Sequence, residues 1–197
     1  MIIIITSENK IINEAQKINQ LFEAGLQCLH FRKPTWTVDE FKQLLNEIDL
    51  TYHNKIVIHH FHELINEFNL KGIHFTEQKR IDCIDNPSQY FKELNMFGKT
   101  ISSSFHEPEV LANCEFEFDY YFLSPVFSSI SKQGYAGRSF DVNHINKTII
   151  ALGGINETNI KKAYQLGFNG IAVLGSIWKS ENSFRNFYNL KETQLKL

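Results

Sequence analysis

Short runs of β-branched and aromatic residues recur along the chain at 2–6, 28–33, 55–60, 72–76, 99–104, 120–126, 148–153 and 170–175. Several, such as Ile56-Val57-Ile58 and Ile149-Ile150-Ala151-Leu152, are apolar without interruption, as expected of parallel strands covered on both faces. Between most runs lie segments of helical spacing. Residues 13–24 bring Ile18, Leu21 and Phe22 to one side, and residues 38–48 do the same with Phe41, Leu44, Leu45 and Ile48. Regular alternation of strand and helix predicts βα units. Gly25, Gly72, Gly98, Gly167 and Gly170 precede or open the next strand, where a helix end commonly needs a left-handed residue. Eight such units predict an α/β fold, a compact (βα)8 TIM barrel, with a doubly wound sheet as the alternative. The weakest units are 77–95, with its Asp85-Asn86-Pro87 turn, and 128–139, rich in Ser and Gly.

The chain has 197 residues, almost all of them used by eight units, so a single domain over 1–197 is expected, with little left for a lid. Twenty basic and 22 acidic residues leave a net charge of −2, which argues against nucleic acid and an anionic membrane surface as partners. Cys28, Cys83 and Cys114 form no C-x-x-C pair, so neither a disulfide framework nor a cysteine zinc site is suggested. The apolar start at 2–6 is too short for a signal-peptide core, and no run approaches the roughly 18 apolar residues of a membrane span. A cytoplasmic protein is expected, and homo-oligomerisation stays open.

Two glycine-bearing segments close the last two strands, Leu152-Gly153-Gly154-Ile155 and Leu174-Gly175-Ser176-Ile177. Glycine lets backbone amides approach an anion closely, and the loops after strands seven and eight of a barrel often hold phosphate. Gly153, Gly154, Gly175 and Ser176 are therefore the candidate phosphate site. The competing explanation is a strand-to-helix turn that merely needs positive φ.

His30-Phe31-Arg32-Lys33-Pro34, Gly72-Ile73-His74-Phe75-Thr76, Ser104-Phe105-His106, Ser124-Pro125-Val126-Phe127, then Ser129, Ser131 and Lys132, and the two glycine segments follow one another in this order. In order and spacing the chain resembles the thiamine phosphate synthase and TenI superfamily. The resemblance implies a barrel acting in thiamine biosynthesis on a phosphorylated thiazole. In its synthase branch, hydroxymethylpyrimidine pyrophosphate loses pyrophosphate and the thiazole nitrogen is alkylated, with magnesium held by acidic residues after strands three and four. This chain keeps Arg32 of the Gln-x-Arg-x-Lys pattern but has His30 and Pro34 at its ends. The Asn-Asp pair reads His59-His60, and the acidic end of the strand-four segment reads Lys79. Histidine and lysine are poor replacements for magnesium carboxylates, although Glu77 or Glu63 could offer one.

The TenI-type branch moves a proton on a thiazole carboxylate phosphate and requires no metal. Its parts would be His106 as general acid or base, Arg32 for the carboxylate, and the two glycine loops, with His30, Ser104, Ser129, Ser131 and Lys132 as further binding residues. The leading expectation is therefore a thiazole tautomerase. Thiamine phosphate synthase is the alternative, magnesium being its cofactor in that case alone, and a silent thiazole phosphate-binding paralogue or another phosphosugar-type isomerase complete the set. No resident metal is expected: His59 and His60 point to opposite faces of a strand and cannot easily share an ion, which leaves them and His62 as rim or cap residues. His74 reads first as a hydrogen-bonded structural histidine. Arg32, which shares a face with His30, is a better site candidate than Lys33. Arg138 resembles part of the family's substrate-covering loop, and the 17 Phe and 7 Tyr read as packing rather than as a stacking platform.

Overall fold

In the computed structural model, residues 1–84, 90–91, 94–128, 137–138, 140–179 and 182–197 are described. Eight parallel strands close into a barrel in chain order: β1 (Ile2–Ile5), β2 (Leu29–Phe31), β3 (Ile56–Ile58), β4 (Gly72–Phe75), β5 (Thr100–Phe105), β6 (Tyr120–Leu123), β7 (Ile149–Leu152) and β8 (Gly170–Val173). β8 pairs with β1, which excludes the doubly wound sheet. Around them run α1 (Glu14–Glu23), α2 (Val38–Glu47), α3 (Leu64–Glu67), α4 (Glu77–Ile84), α5 (Pro108–Ala112), α6 (Ile160–Gln165), α7 (Gly175–Trp178) and α8 (Ser183–Leu195). A capping box starts α2: Thr37 Oγ1 accepts from Glu40 N, and the Glu40 carboxylate accepts from Thr37 N.

The two-residue period of the strands divides the core. Ile2, Ile4, Leu29, Phe31, Ile56, Ile58, Ile73 and Phe75 point outward into the layer shared with the helices. Ile3, Ile5, Cys28, Val57, Tyr120, Phe122, Ile150 and Ala172 fill the lumen. The same parity sends His30, His74 and Ser102 inward, where they are fully buried. One arc of the lumen, β2 to β5, is therefore polar, and the arc formed by β7, β8 and β1 is aliphatic.

Lys33 follows the opposite parity from Arg32. Its ammonium lies in the outer layer, 2.7 and 2.8 Å from the two carboxylate oxygens of Glu14 on α1 and 4.4 Å from the Trp36 ring centre. Both side chains are essentially inaccessible to water. Burial raises the Glu14 carboxyl above its ordinary range and lowers the Lys33 ammonium, each against the pull of its partner. Among the described residues, no helix is long and apolar enough to cross a membrane.

Candidate active site

The C-terminal ends of the strands carry the polar rim. His106 follows β5, and its Nδ1 lies 2.6 Å from Glu77 Oε2 at the start of α4, while its backbone N–H donates to Glu77 Oε1 at 3.2 Å. Arg80 pairs with the same carboxylate at 3.7 Å and lays its guanidinium over the Phe105 ring. A carboxylate at Nδ1 fixes the imidazole so that a protonated Nδ1 leaves the Nε2 lone pair outward, the geometry of a positioned general base. Arg138 ties the neighbouring loop to this point through Glu107, at 2.5 and 2.7 Å, and the His106 carbonyl at 3.1 Å.

Arg32 leaves β2 on the lumen side. Thr6 Oγ1 accepts from its backbone N–H at 2.8 Å and donates to its carbonyl at 3.0 Å, and its guanidinium pairs with Glu8. His60, just beyond β3, is held below the usual histidine range first by burial and then by the positive charges of Arg32 and Lys79. The Lys79 ammonium is itself lowered by burial. Arg32 and Lys79 thus form a cationic quarter of the rim, with His60 beside them as a neutral imidazole. Among the described residues, the magnesium that the synthase resemblance implies finds no matching set of carboxylates at the expected positions. Its carboxylate positions hold His59, His60 and Lys79, and Glu77 already serves His106 and Arg80. A hard cation that requires oxygen ligands does not fit this set.

His30 lies deeper than a rim contact. It is wholly inside the barrel, 2.9 Å from His59 Nε2 through Nδ1 and 2.7 Å from Tyr120 Oη through Nε2. His59 is likewise interior rather than on the rim, because a residue one step past β3 still follows its inward parity. His74 is the hydrogen-bonded histidine expected of it, with Ser102 Oγ and Ser104 Oγ each 2.8 Å away. His62 bonds the His74 carbonyl and Tyr90 Oη. Burial drives His30 and His62 down to about 3 and His59 and His74 well below their ordinary value, so all four are neutral.

At the glycine loops, Gly153 and Gly154 have φ of +99° and +67°. A Cβ on Gly154 would stand 2.6 Å from the carbonyl oxygens of Phe127 and Ser128. The loop after β6 lies directly on the loop after β7, with Val126 N–H donating to Leu152 O and Phe127 N–H to Gly153 O. Turn geometry and close backbone approach account for this glycine pair, with or without a ligand. Gly175 opens α7, and the Ser176 hydroxyl is buried without a hydrogen-bond partner among the described residues. Ser129, Ser131 and Lys132 lie outside the described residues.

The other buried side-chain atoms without a described partner are His59 Nδ1, His60 Nε2 and Arg80 Nε. With Ser176 Oγ they belong to the βα connections after β3 and to the helices that follow β4 and β8. Sequence reasoning missed the pairing of Glu77 with His106. Its signal was the register: Phe75 on β4 is level with Ser103 on β5, which brings the residues just past both strands together.

A closed (βα)8 barrel with its polar groups gathered at the strand C-termini defines a small-molecule enzyme of the barrel class. The family model for thiamine monophosphate synthase matches residues 2–177. A thiamine phosphate pyrophosphorylase from Bacteroides thetaiotaomicron superposes with a TM-score of 0.77 at 31% identity, covering 98% of this chain and 96% of that one. The thiamine-phosphate synthase of Staphylococcus haemolyticus is 28% identical over 198 residues, 93% of this chain and 89% of that one, and that of Dictyoglomus thermophilum is 24% identical over 88% and 79%. The chain belongs to the thiamine monophosphate synthase family and is an enzyme of thiamine biosynthesis. These relatives are named for the synthase, the alternative of the sequence reading, rather than for the tautomerase placed first there.

Proposed function

We propose that this chain is a thiamine phosphate synthase, joining hydroxymethylpyrimidine pyrophosphate to thiazole phosphate. The likeness to a thiamine phosphate pyrophosphorylase along 98% of the chain carries this reading. In it, the thiazole nitrogen forms a bond to the pyrimidine methylene as the carbon–oxygen bond to pyrophosphate breaks, and the electron pair leaves with the pyrophosphate. The charge developing on that leaving group needs cations close by. Arg32 and Lys79 would supply them, with Lys132 as a further cation and neutral His60 as a hydrogen-bonding group. Gly153, Gly154, Gly175 and Ser176 would hold the thiazole phosphate through backbone amides and the Ser176 hydroxyl, with Ser104, Ser129 and Ser131 as further binding residues.

The Glu77–His106 pair favours a second reading, TenI-type tautomerisation, because a carboxylate-oriented imidazole is the equipment for moving a proton. Purified protein incubated with both substrates, with magnesium present or withheld, separates the two. Thiamine phosphate formation supports the synthase, and its persistence without magnesium supports a cationic rim in the metal's place. Turnover of the thiazole carboxylate phosphate alone, with no coupled product, transfers the assignment to the tautomerase. Tight thiazole phosphate binding without either turnover identifies a silent paralogue.

A further inference from the structure

Three histidines from consecutive strands meet inside the barrel. His30 on β2, His59 just past β3 and His74 on β4 each offer one nitrogen, and these lie within 4.8 Å of one another. The His59 and His74 ring centres are 4.2 Å apart, and each lies 5.1 Å from that of His30. We propose that this triad is a binding site for a borderline divalent transition-metal ion of the zinc class, separate from the magnesium chemistry of the family.

Three observations support the site. The donors are three neutral imidazoles, the form that binds metal, so no proton need be displaced from the cluster as a whole. The spacing is close: zinc–nitrogen bonds of about 2.0–2.1 Å in a tetrahedral site put ligand nitrogens roughly 3.3 Å apart. His30 Nδ1 and His59 Nε2 are already at 2.9 Å, so a modest turn of His74 closes the set. Supporting hydrogen bonds are in place as well. Metal-bound histidines usually bond a second group through their other nitrogen. His30 has Tyr120 Oη there, and whichever nitrogen His74 turns to the ion, the other keeps a serine hydroxyl. Imidazole donors suit zinc, cobalt, nickel or copper and are unsuited to magnesium or calcium. Three protein nitrogens leave a fourth position of a tetrahedral ion open.

The test is a cobalt titration of the full chain, without a histidine tag and stripped with chelator beforehand. One Co²⁺ per chain is expected, with the visible absorption band of nitrogen-ligated cobalt of low coordination number, discharged by stoichiometric Zn²⁺. His59→Ala and His74→Ala should each weaken binding about tenfold or more, whereas His144→Ala, on the exposed surface, should leave it unchanged. If either triad variant fails to fold, crystals of the unaltered protein grown with Zn²⁺ decide, through an anomalous peak within bonding distance of His30, His59 and His74. Absence of stoichiometric cobalt binding, equal binding by folded triad variants, or an anomalous peak only at surface groups would each overturn the proposal.

Discussion

Acidification from about pH 8 to about pH 5.5 is expected to lower the stability of the metal-free protein by about 6 kcal/mol, well before its carboxylates titrate in bulk. His30, His59, His62 and His74 are buried and neutral, with His30 and His62 near 3 and the other two well below the ordinary value. In the unfolded chain each titrates near 6.5. Below that value the unfolded state binds protons that the native state refuses, so stability falls with pH until the native groups also titrate. At pH 5.5 the free energy of protonating one unfolded histidine is about 1.4 kcal/mol, and the four together amount to about 6 kcal/mol. Domains of this kind typically have only about 5–15 kcal/mol in total. Glu14 acts in the opposite sense, since burial raises its carboxyl and the native state takes up that proton first. Urea unfolding followed by far-UV circular dichroism at several pH values, in metal-free buffer, measures the slope. A loss at pH 5.5 no larger than one histidine's share, about 1.4 kcal/mol, would refute the reasoning, because it would mean that the cluster takes up protons while folded.

Lys33→Met leaves the buried Glu14 carboxylate unpaired and should cost about 3–5 kcal/mol in urea melts, while Lys33→Met with Glu14→Leu should recover most of it. Gly154→Ala combines a left-handed φ with a Cβ pressed on two backbone carbonyls. It should lower stability by about 2 kcal/mol and weaken thiazole phosphate binding measured by calorimetry. His106→Ala should cut any tautomerase turnover by about 10²–10⁴-fold and spare synthase turnover to within about tenfold, because alkylation needs no proton relay. Glu77→Gln removes the carboxylate that orients His106, so any tautomerase pH profile should shift while KM changes little.

The barrel itself was open to reading from residue pattern, whereas the side-chain constellations inside it were not. All eight apolar runs became strands, and the helices expected at 13–24 and 38–48 became Glu14–Glu23 and Val38–Glu47. All but one of the strands came out shorter than the runs, β5 keeping its length one residue further on: 28–33 shrank to Leu29–Phe31, because Arg32 and Lys33 at the barrel end are held by Thr6 and Glu14 rather than by ladder bonds alone. Parity correctly separated Arg32 from Lys33, whose ammonium is buried against Glu14 in the outer layer. Applied to one strand at a time, however, parity says nothing about which neighbours meet. That requires register, which depends on the stagger of the closed sheet and on turns whose lengths the pattern leaves loose. Given the pairs Val57 with Gly72 and Ile58 with Ile73, one further step sets His59 level with His74, and the pairing of His30 with Val57 then brings the third ring below them. The same rule joins Glu77 to His106. The residues of the site are thus chosen by a two-residue period that any strand shows, but its chemistry is chosen by register. A one-residue slip between β3 and β4 would break up the triad while leaving every strand as apolar as before.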